Sequence, residues 1–229
     1  MNIENTIIER VYEFNFLGLT INENLNWKSH VDKIANKISK SMGILNKLKY
    51  FLPLNVKILI YSSLISSYLN FGILAWGYQC DRLVKLQKRI VRIVSTSKYN
   101  AHTEPIFKTL KLLKVKDILR LQELKFYYKY ENNKLPYYLA NLPLNTNTSI
   151  HSHATRTQNK IHLLKPNHEY AKNCIWYYIS TVANSTPNNI IAKIYTHSLQ
   201  GFSGYIKQHF LQSYQEICTI VNCYICSRM

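Results

Sequence analysis

The spacing of apolar residues from Trp27 to Leu48 limits what this chain can fold into more than any other feature. Trp27, Val31, Ile34, Ile38, Met42, Leu45 and Leu48 recur every three or four positions, while Lys28, Lys33, Lys37, Lys40 and Lys47 take the other faces. That is the period of a helix buried along one side, and such a helix needs partners to bury against. Pro53 ends it and suits the first turn of a second helix running to about Phe71. Gly72 and Gly77 bracket a break around Trp76. A third helix is expected to start with Asp81 as its N-cap and to bury Leu83, Leu86, Ile90, Ile93 and Val94. Thr103-Glu104-Pro105 opens a short helix, and a longer one runs from Lys116 to Asn132, closed by Leu135-Pro136. Ahead of these, Val11–Ile21 mixes β-branched and aromatic residues with polar ones and reads as strand, with Gly18 permitting a bulge or a close backbone approach. The expected fold is mainly α: a helical bundle preceded by a short β strand or hairpin. Its segments are a β element over 1–26, a helical domain over 27–136, a polar linker over 137–170 and an α-rich C-terminal region over 171–229.

Hydrophobic residues make up 47% of the chain and aromatic residues 13%, which supports a packed core and argues against disorder. Charge is less evenly spread. Lysine and arginine number 29 against 12 acidic residues, a net charge of +17. Within the first 23 residues Glu4, Glu9, Glu13 and Glu23 oppose only Arg10, so the whole basic excess lies beyond them. Surface ion pairs cannot absorb that surplus. A polyanionic partner is expected, with nucleic acid ahead of an anionic membrane surface. Bases also interleave with aromatics at Lys49-Tyr50 and through Lys125-Phe126-Tyr127-Tyr128-Lys129-Tyr130, where cations would meet phosphates and rings would meet sugars or bases. Ile58–Cys80 is uncharged and long enough to span a bilayer, but Ser62, Ser63, Ser66, Ser67, Asn70 and Gln79 dilute it. A buried helix is the expectation there, and a membrane anchor the competing one.

Candidate catalytic chemistry is sparse. Two-metal polymerases and nucleases need converging carboxylates, whereas Asp32, Asp81 and Asp117 are the only aspartates and none adjoins another. No catalytic residue, metal ligand or cofactor is expected for the chain itself. His151, His153, His162 and His168, followed by Cys174, match no zinc-module spacing and read as loop histidines. Cys223-x-x-Cys226, with Cys218 and His209 nearby, is half a zinc site and reads as free thiols. Five cysteines without framework spacing fit a reduced, intracellular chain, nuclear or cytoplasmic, and Met1-Asn2-Ile3-Glu4 begins no secretory signal. Gly201-x-x-Gly204 lacks the strand and lysine of a phosphate loop.

The order of several landmarks resembles a known family. Phe14-x-Phe16-Leu17-Gly18-Leu19-x-Ile21-Asn22-x-x-Leu25-x-Trp27-x-x-His30-Val31 is similar to the segment just after the palm in reverse transcriptases of jockey-type non-LTR (LINE-like) retrotransposons. Tyr68-x-x-x-Gly72-x-x-x-Trp76-Gly77 and Leu86-Gln87-Lys88-Arg89-x-x-Arg92-Ile93 resemble its next two helices. Tyr99-x-Ala101-His102-Thr103-x-Pro105-Ile106-Phe107, Leu135-Pro136 and His153-x-Thr155-Arg156 follow in the same order, so the likeness reaches to about Tyr214. It departs at Asn22, where the family usually has Asp, and at Ala183 and Thr186, where it tends to have Trp and Leu.

The resemblance implies a thumb that grips primer–template nucleic acid along its backbone without sequence choice. Lys85, Lys88, Arg89 and Arg92 would make that grip, supported by Lys37 and Lys40. RNA-directed DNA polymerisation with a divalent metal such as Mg²⁺ would belong to the palm and fingers, whose Tyr-x-Asp-Asp motif would lie upstream of residue 1. A retrotransposon remnant without biochemical role is the alternative.

Overall fold

The computed structural model describes residues 10–140, 144–150, 153, 156–163 and 174–215, with the backbone of 2–3 and 6–7. The fold is mainly helical with antiparallel β pairs at its start. It divides after Lys116 into two compact units, residues 1–116 with 215–229, and residues 117–214.

The first unit opens with β1 (Asn2–Ile3) and β2 (Thr6–Ile7), then the hairpin of β3 (Glu13–Phe16) and β4 (Leu19–Asn22), which pairs Phe16 with Leu19. The expected β element is thus the hairpin, the strand over Val11–Ile21 folding back at Leu17-Gly18. Both turn residues have positive φ, +47° and +83°, the backbone a two-residue type I′ turn requires. Phe14, Phe16 and Leu17 face water; the hairpin docks through β4 instead, with Thr20 buried.

α1 (Lys28–Leu48) follows, and Asn26 Oδ1 accepts from the Lys28 N–H at its start. Asn22 supports that arrangement: its amide donates to Asn26 Oδ1, a bond an aspartate there could not make. Val31, Ile34, Ala35, Ile38 and Leu45 are buried as the period demands, while Leu48 lies on the exposed end of the stripe. α2 (Leu54–Tyr61) continues through a π-helical turn, Ser62–Ser66, into α3 (Ser67–Asn70). Gly72, at φ +59°, breaks the chain before α4 (Ile73–Trp76) and a 3₁₀ turn, Gly77–Gln79. The two positive-φ glycines face each other's neighbours. A Cβ on Gly72 would meet Leu19 Cδ2 at 2.8 Å, and one on Gly18 would meet the Phe71 ring at 3.1 Å.

Among the described residues no single helix is long and apolar enough to cross a membrane. Leu54–Asn70 and Ile73–Gln79 reach that length only as a pair bent by 57°. Tyr61, Ile65, Leu69, Ile73 and Trp76 of that pair are core residues.

α5 (Asp81–Val94) starts after Cys80, so Asp81 sits in its first turn and is not the N-cap. Its buried side is Leu83, Gln87, Ile90, Val91 and Val94, whereas Leu86 and Ile93 are only half-buried. The stripe is rotated from the expected one because a glutamine occupies a core position. α6 (Thr103–Thr109) completes the unit's helices before α7 (Val115–Glu131) begins.

In the second unit α7 contributes Leu124, Tyr127 and Tyr128 to a core shared with α10 (Ile175–Ser185), α11 (Asn188–Thr196) and α12 (Leu199–Ser213). Short turns at α8 (Tyr137–Ala140) and α9 (Asn147–Ile150) lie between. The long helix expected to close the domain over 27–136 therefore heads the second unit. The expected linker over 137–170 is partly packed as well: Thr146 bridges Ile161, and Ile161 is buried. Asn184 clamps Ile161 through both main-chain groups, at 2.8 and 2.7 Å. Arg120 donates to Val182 O, Ser185 Oγ and Thr186 Oγ1 at the end of α10, where the smaller Ala183 and Thr186 are buried.

His30 fastens the hairpin to α1. Its Nδ1 accepts the Thr20 N–H at 3.2 Å, and its ring lies between Trp27 and Trp76. Burial, with Lys33 and Lys37 adding like charge, lowers its pKa below the ordinary 6.5. The neutral ring is also the one that can accept at Nδ1. The unfolded chain takes up a proton near the ordinary value while the folded chain does not, so stability is intact above that value and declines as pH falls toward the depressed one. Urea midpoints should drop between about pH 7.5 and 5.5, and the drop should shrink in His30→Asn, which keeps an acceptor without titrating. An equal drop in both proteins would exclude His30 as its source.

Candidate nucleic-acid interface

α1 and α5 lie side by side and run in the same direction. Near their starts Arg82 pairs with Asp32; near their ends Met42, Asn46 and Lys49 face Arg89, Arg92 and Ile93 across one groove. The far ends are fastened by Lys57, 5% exposed, whose Nζ donates to Lys49 O at 3.1 Å and Thr96 Oγ1 at 2.8 Å. An ammonium set against the carbonyl end of α1 also complements the helix dipole.

The six cations expected at the interface are dispersed over this pair. Lys85, Lys88 and Arg89 are exposed on α5, as spacings of three and four dictate. Lys88 lies near enough to Glu104 to make the smallest of several contributions to that carboxyl's lowered pKa, the largest coming from the hydrogen bond of its partner Lys114. Arg92 is different. It is half-buried, and its Nε donates to Ala101 O at 2.7 Å, which ties the Tyr99–His102 stretch to α5. Burial lowers its pKa and so does Arg89 beside it, while Tyr99 works the other way. Lys40 is exposed on α1. Lys37 holds its Nζ 5.3 Å from the Tyr68 ring centroid, in a wider groove of about 760 Å³ also lined by Asn15, Lys33, Asn36 and Phe71.

The smaller groove, about 310 Å³, gathers Lys49, Arg89 and Arg92 with Asn46, Ser97 and Tyr99. No carboxylate lines it. Lys49 and Tyr99 were not among the six, although Lys49-Tyr50 is visible in sequence as a basic–aromatic step. The Lys125–Tyr130 run is the reverse case: Tyr127 and Tyr128 are buried, and Phe126 and Tyr130 pack on the same core. Tyr127 and Tyr128 are therefore interior rings, and Phe126 and Tyr130 are half-buried against them.

The described carboxylates are already engaged. Glu13 bonds Ser29 and Lys33, Glu23 bonds Arg10, Asp81 pairs with Lys116 at 3.5 Å, Glu123 with Arg120 at 3.5 Å, Glu131 accepts from Tyr195, and Asp117 accepts from Tyr214. Asp32 and Glu104 pair with Arg82 and Lys114. Such a set does not fit a divalent metal pair. Among the described residues no three His, Cys, Asp or Glu side chains converge as a metal site. His162 bonds Asn147 Oδ1, and Cys174 is a free thiol, while His151, His168, Cys218, Cys223 and Cys226 lie outside the described residues.

No family model, curated protein or solved structure matches this chain.

Proposed function

We propose that this chain is the thumb-side part of a jockey-type retrotransposon reverse transcriptase, and that it grips primer–template nucleic acid by its phosphates. The observation that carries the reading is the α1–α5 surface: Lys85 and Arg89 exposed on one helix, Lys40 on its neighbour, and a carboxylate-free groove between them. Cations on a rigid helix pair neutralise a backbone and offer no fork aimed at a base edge. Lys85, Lys88 and Arg89 act directly; Arg92 positions the Tyr99 stretch.

Fluorescence anisotropy with labelled primer–template duplexes of unrelated sequence, at several salt concentrations, tests this. Affinity should be the same for each sequence to within a few-fold and should fall steeply with salt. Salt-independent binding, or none at low salt, would overturn the reading. Purified chain supplied with primer–template, nucleotides and Mg²⁺ is expected to extend nothing, since Asp32, Asp81 and Asp117 each hold another partner. Extension that disappears in Asp32→Ala or Asp117→Ala would contradict that expectation.

A further inference from the structure

The groove between α1 and α5 contains more than a phosphate rail requires. Cations alone serve a duplex backbone. Here Lys49, Arg89 and Arg92 share the walls with Tyr99, a residue 81% exposed, and with Asn46 and Ser97. Lys49 stands with its Nζ 4.9 Å from the centroid of Tyr50, which is 76% exposed, and Phe51 next to it is 82% exposed. Tyr99 is thus the one exposed ring that lines the groove, and Tyr50 and Phe51 follow Lys49 in the chain outside its lining.

Two further features describe what fits. A Cβ at Gly43 would meet nothing within 4 Å, so that wall stands back from the space it borders. At about 310 Å³ the groove is at the small end of ligand sites, which span roughly 300–1,000 Å³. The like charges of Arg89 and Arg92 are held together with no acid lining the groove, and that leaves an anion as the complementary occupant.

We propose that this groove seats one unpaired nucleotide of a single strand, with its phosphate on Lys49 and Arg89 and its base stacked on the Tyr99 ring. The inference rests on the proposal that the partner is nucleic acid, and it adds which form is preferred at this place. Arginine and lysine track the backbone, and an exposed ring accepts any base because every base has a stacking face. Blunt duplex, whose bases are already stacked on one another, gains only from the cations.

The test compares three probes on the full chain: a short single strand carrying 2-aminopurine, a blunt duplex, and phosphatidylserine vesicles. The single strand should bind more tightly than the duplex and should change its 2-aminopurine fluorescence on binding. Tyr99→Ala should weaken single-strand binding by about 5- to 150-fold, the loss of one stacked base, and should abolish the fluorescence change. Tyr99→Phe should keep both, and duplex binding should stay within about twofold in either variant. Duplex binding with no effect of Tyr99→Ala on the single strand would overturn this inference and leave the backbone-gripping reading standing. Failure of the unaltered chain to bind either nucleic acid would overturn both, as would vesicle binding that depends on Arg89 while oligonucleotides do not bind.

Discussion

Gln87→Leu is expected to destabilise the first unit by roughly 3–5 kcal/mol, although it replaces a polar residue with an apolar one of similar size. Gln87 is 1% exposed and uses its amide completely. Nε2 donates to Tyr61 Oη and to Leu113 O, both at 2.8 Å, and Oε1 accepts the Val115 N–H at 2.9 Å. Leucine would leave a hydroxyl, a carbonyl and an amide without partners in the core, at about 1–3 kcal/mol for each buried group. Burial pushes the Tyr61 pKa up to about 12, so its hydroxyl stays neutral and keeps requiring a partner. Urea unfolding followed by circular dichroism measures the loss. Tyr61→Phe should cost far less, and the double variant should lose less than the two singles together, because both remove the same bond. A Gln87→Leu midpoint within about 1 kcal/mol of the unaltered protein would show that the amide does not hold these segments together.

The second large effect is on binding. Changing Lys85, Lys88 and Arg89 together to alanine should lower the slope of log affinity against log salt by about two to three units, at roughly 0.9 per phosphate contact. The lower figure allows for Lys88, which has Glu104 in its neighbourhood. Between about 50 and 200 mM salt, the spread in affinity should shrink by roughly 10- to 40-fold. All three side chains are exposed, so helix content should not change. Arg82→Ala is the control, since Arg82 spends its charge on Asp32. A triple variant with an unaltered slope would make the basic face a solvated surface and nothing more.

The helices, and much of their burial, were legible in the residues. A 3.6-residue apolar period places Val31, Ile34, Ile38 and Leu45 inside without further information. Gln87 was not legible. A polar residue in a helical pattern reads as solvent-facing unless its partners are known, and those partners, Tyr61, Leu113 and Val115, are more than 20 residues away. A hairpin was one of the two forms expected, but where it turns was hidden for another reason: Leu17 at positive φ is not a residue that announces such a turn. Of the six cations, spacing places Lys85, Lys88 and Arg89 on the exposed side of α5 but could not show that Arg92 is turned to Ala101. Tyrosine was the least readable type. Tyr99 in the groove and Tyr128 in the core carry the same chemistry, and only packing separates them.

Lys57 has a kinetic consequence for the groove it closes. Its ammonium joins the carbonyl end of α1 to Thr96, two residues past α5, so the two walls are held at one end before anything enters. A cleft that had to gather its walls around each arriving ligand would bind at the pace of that rearrangement. A ligand bound as proposed would meet this one already set. Its entry should then order side chains such as Lys49 and Tyr99 without reorganising backbone, at roughly 0.5–1.5 kcal/mol for each long side chain immobilised. Encounter is left to diffusion and to the field of the surrounding lysines and arginines, so salt should act on how fast the complex forms, and changes at Tyr99 on how long it lasts.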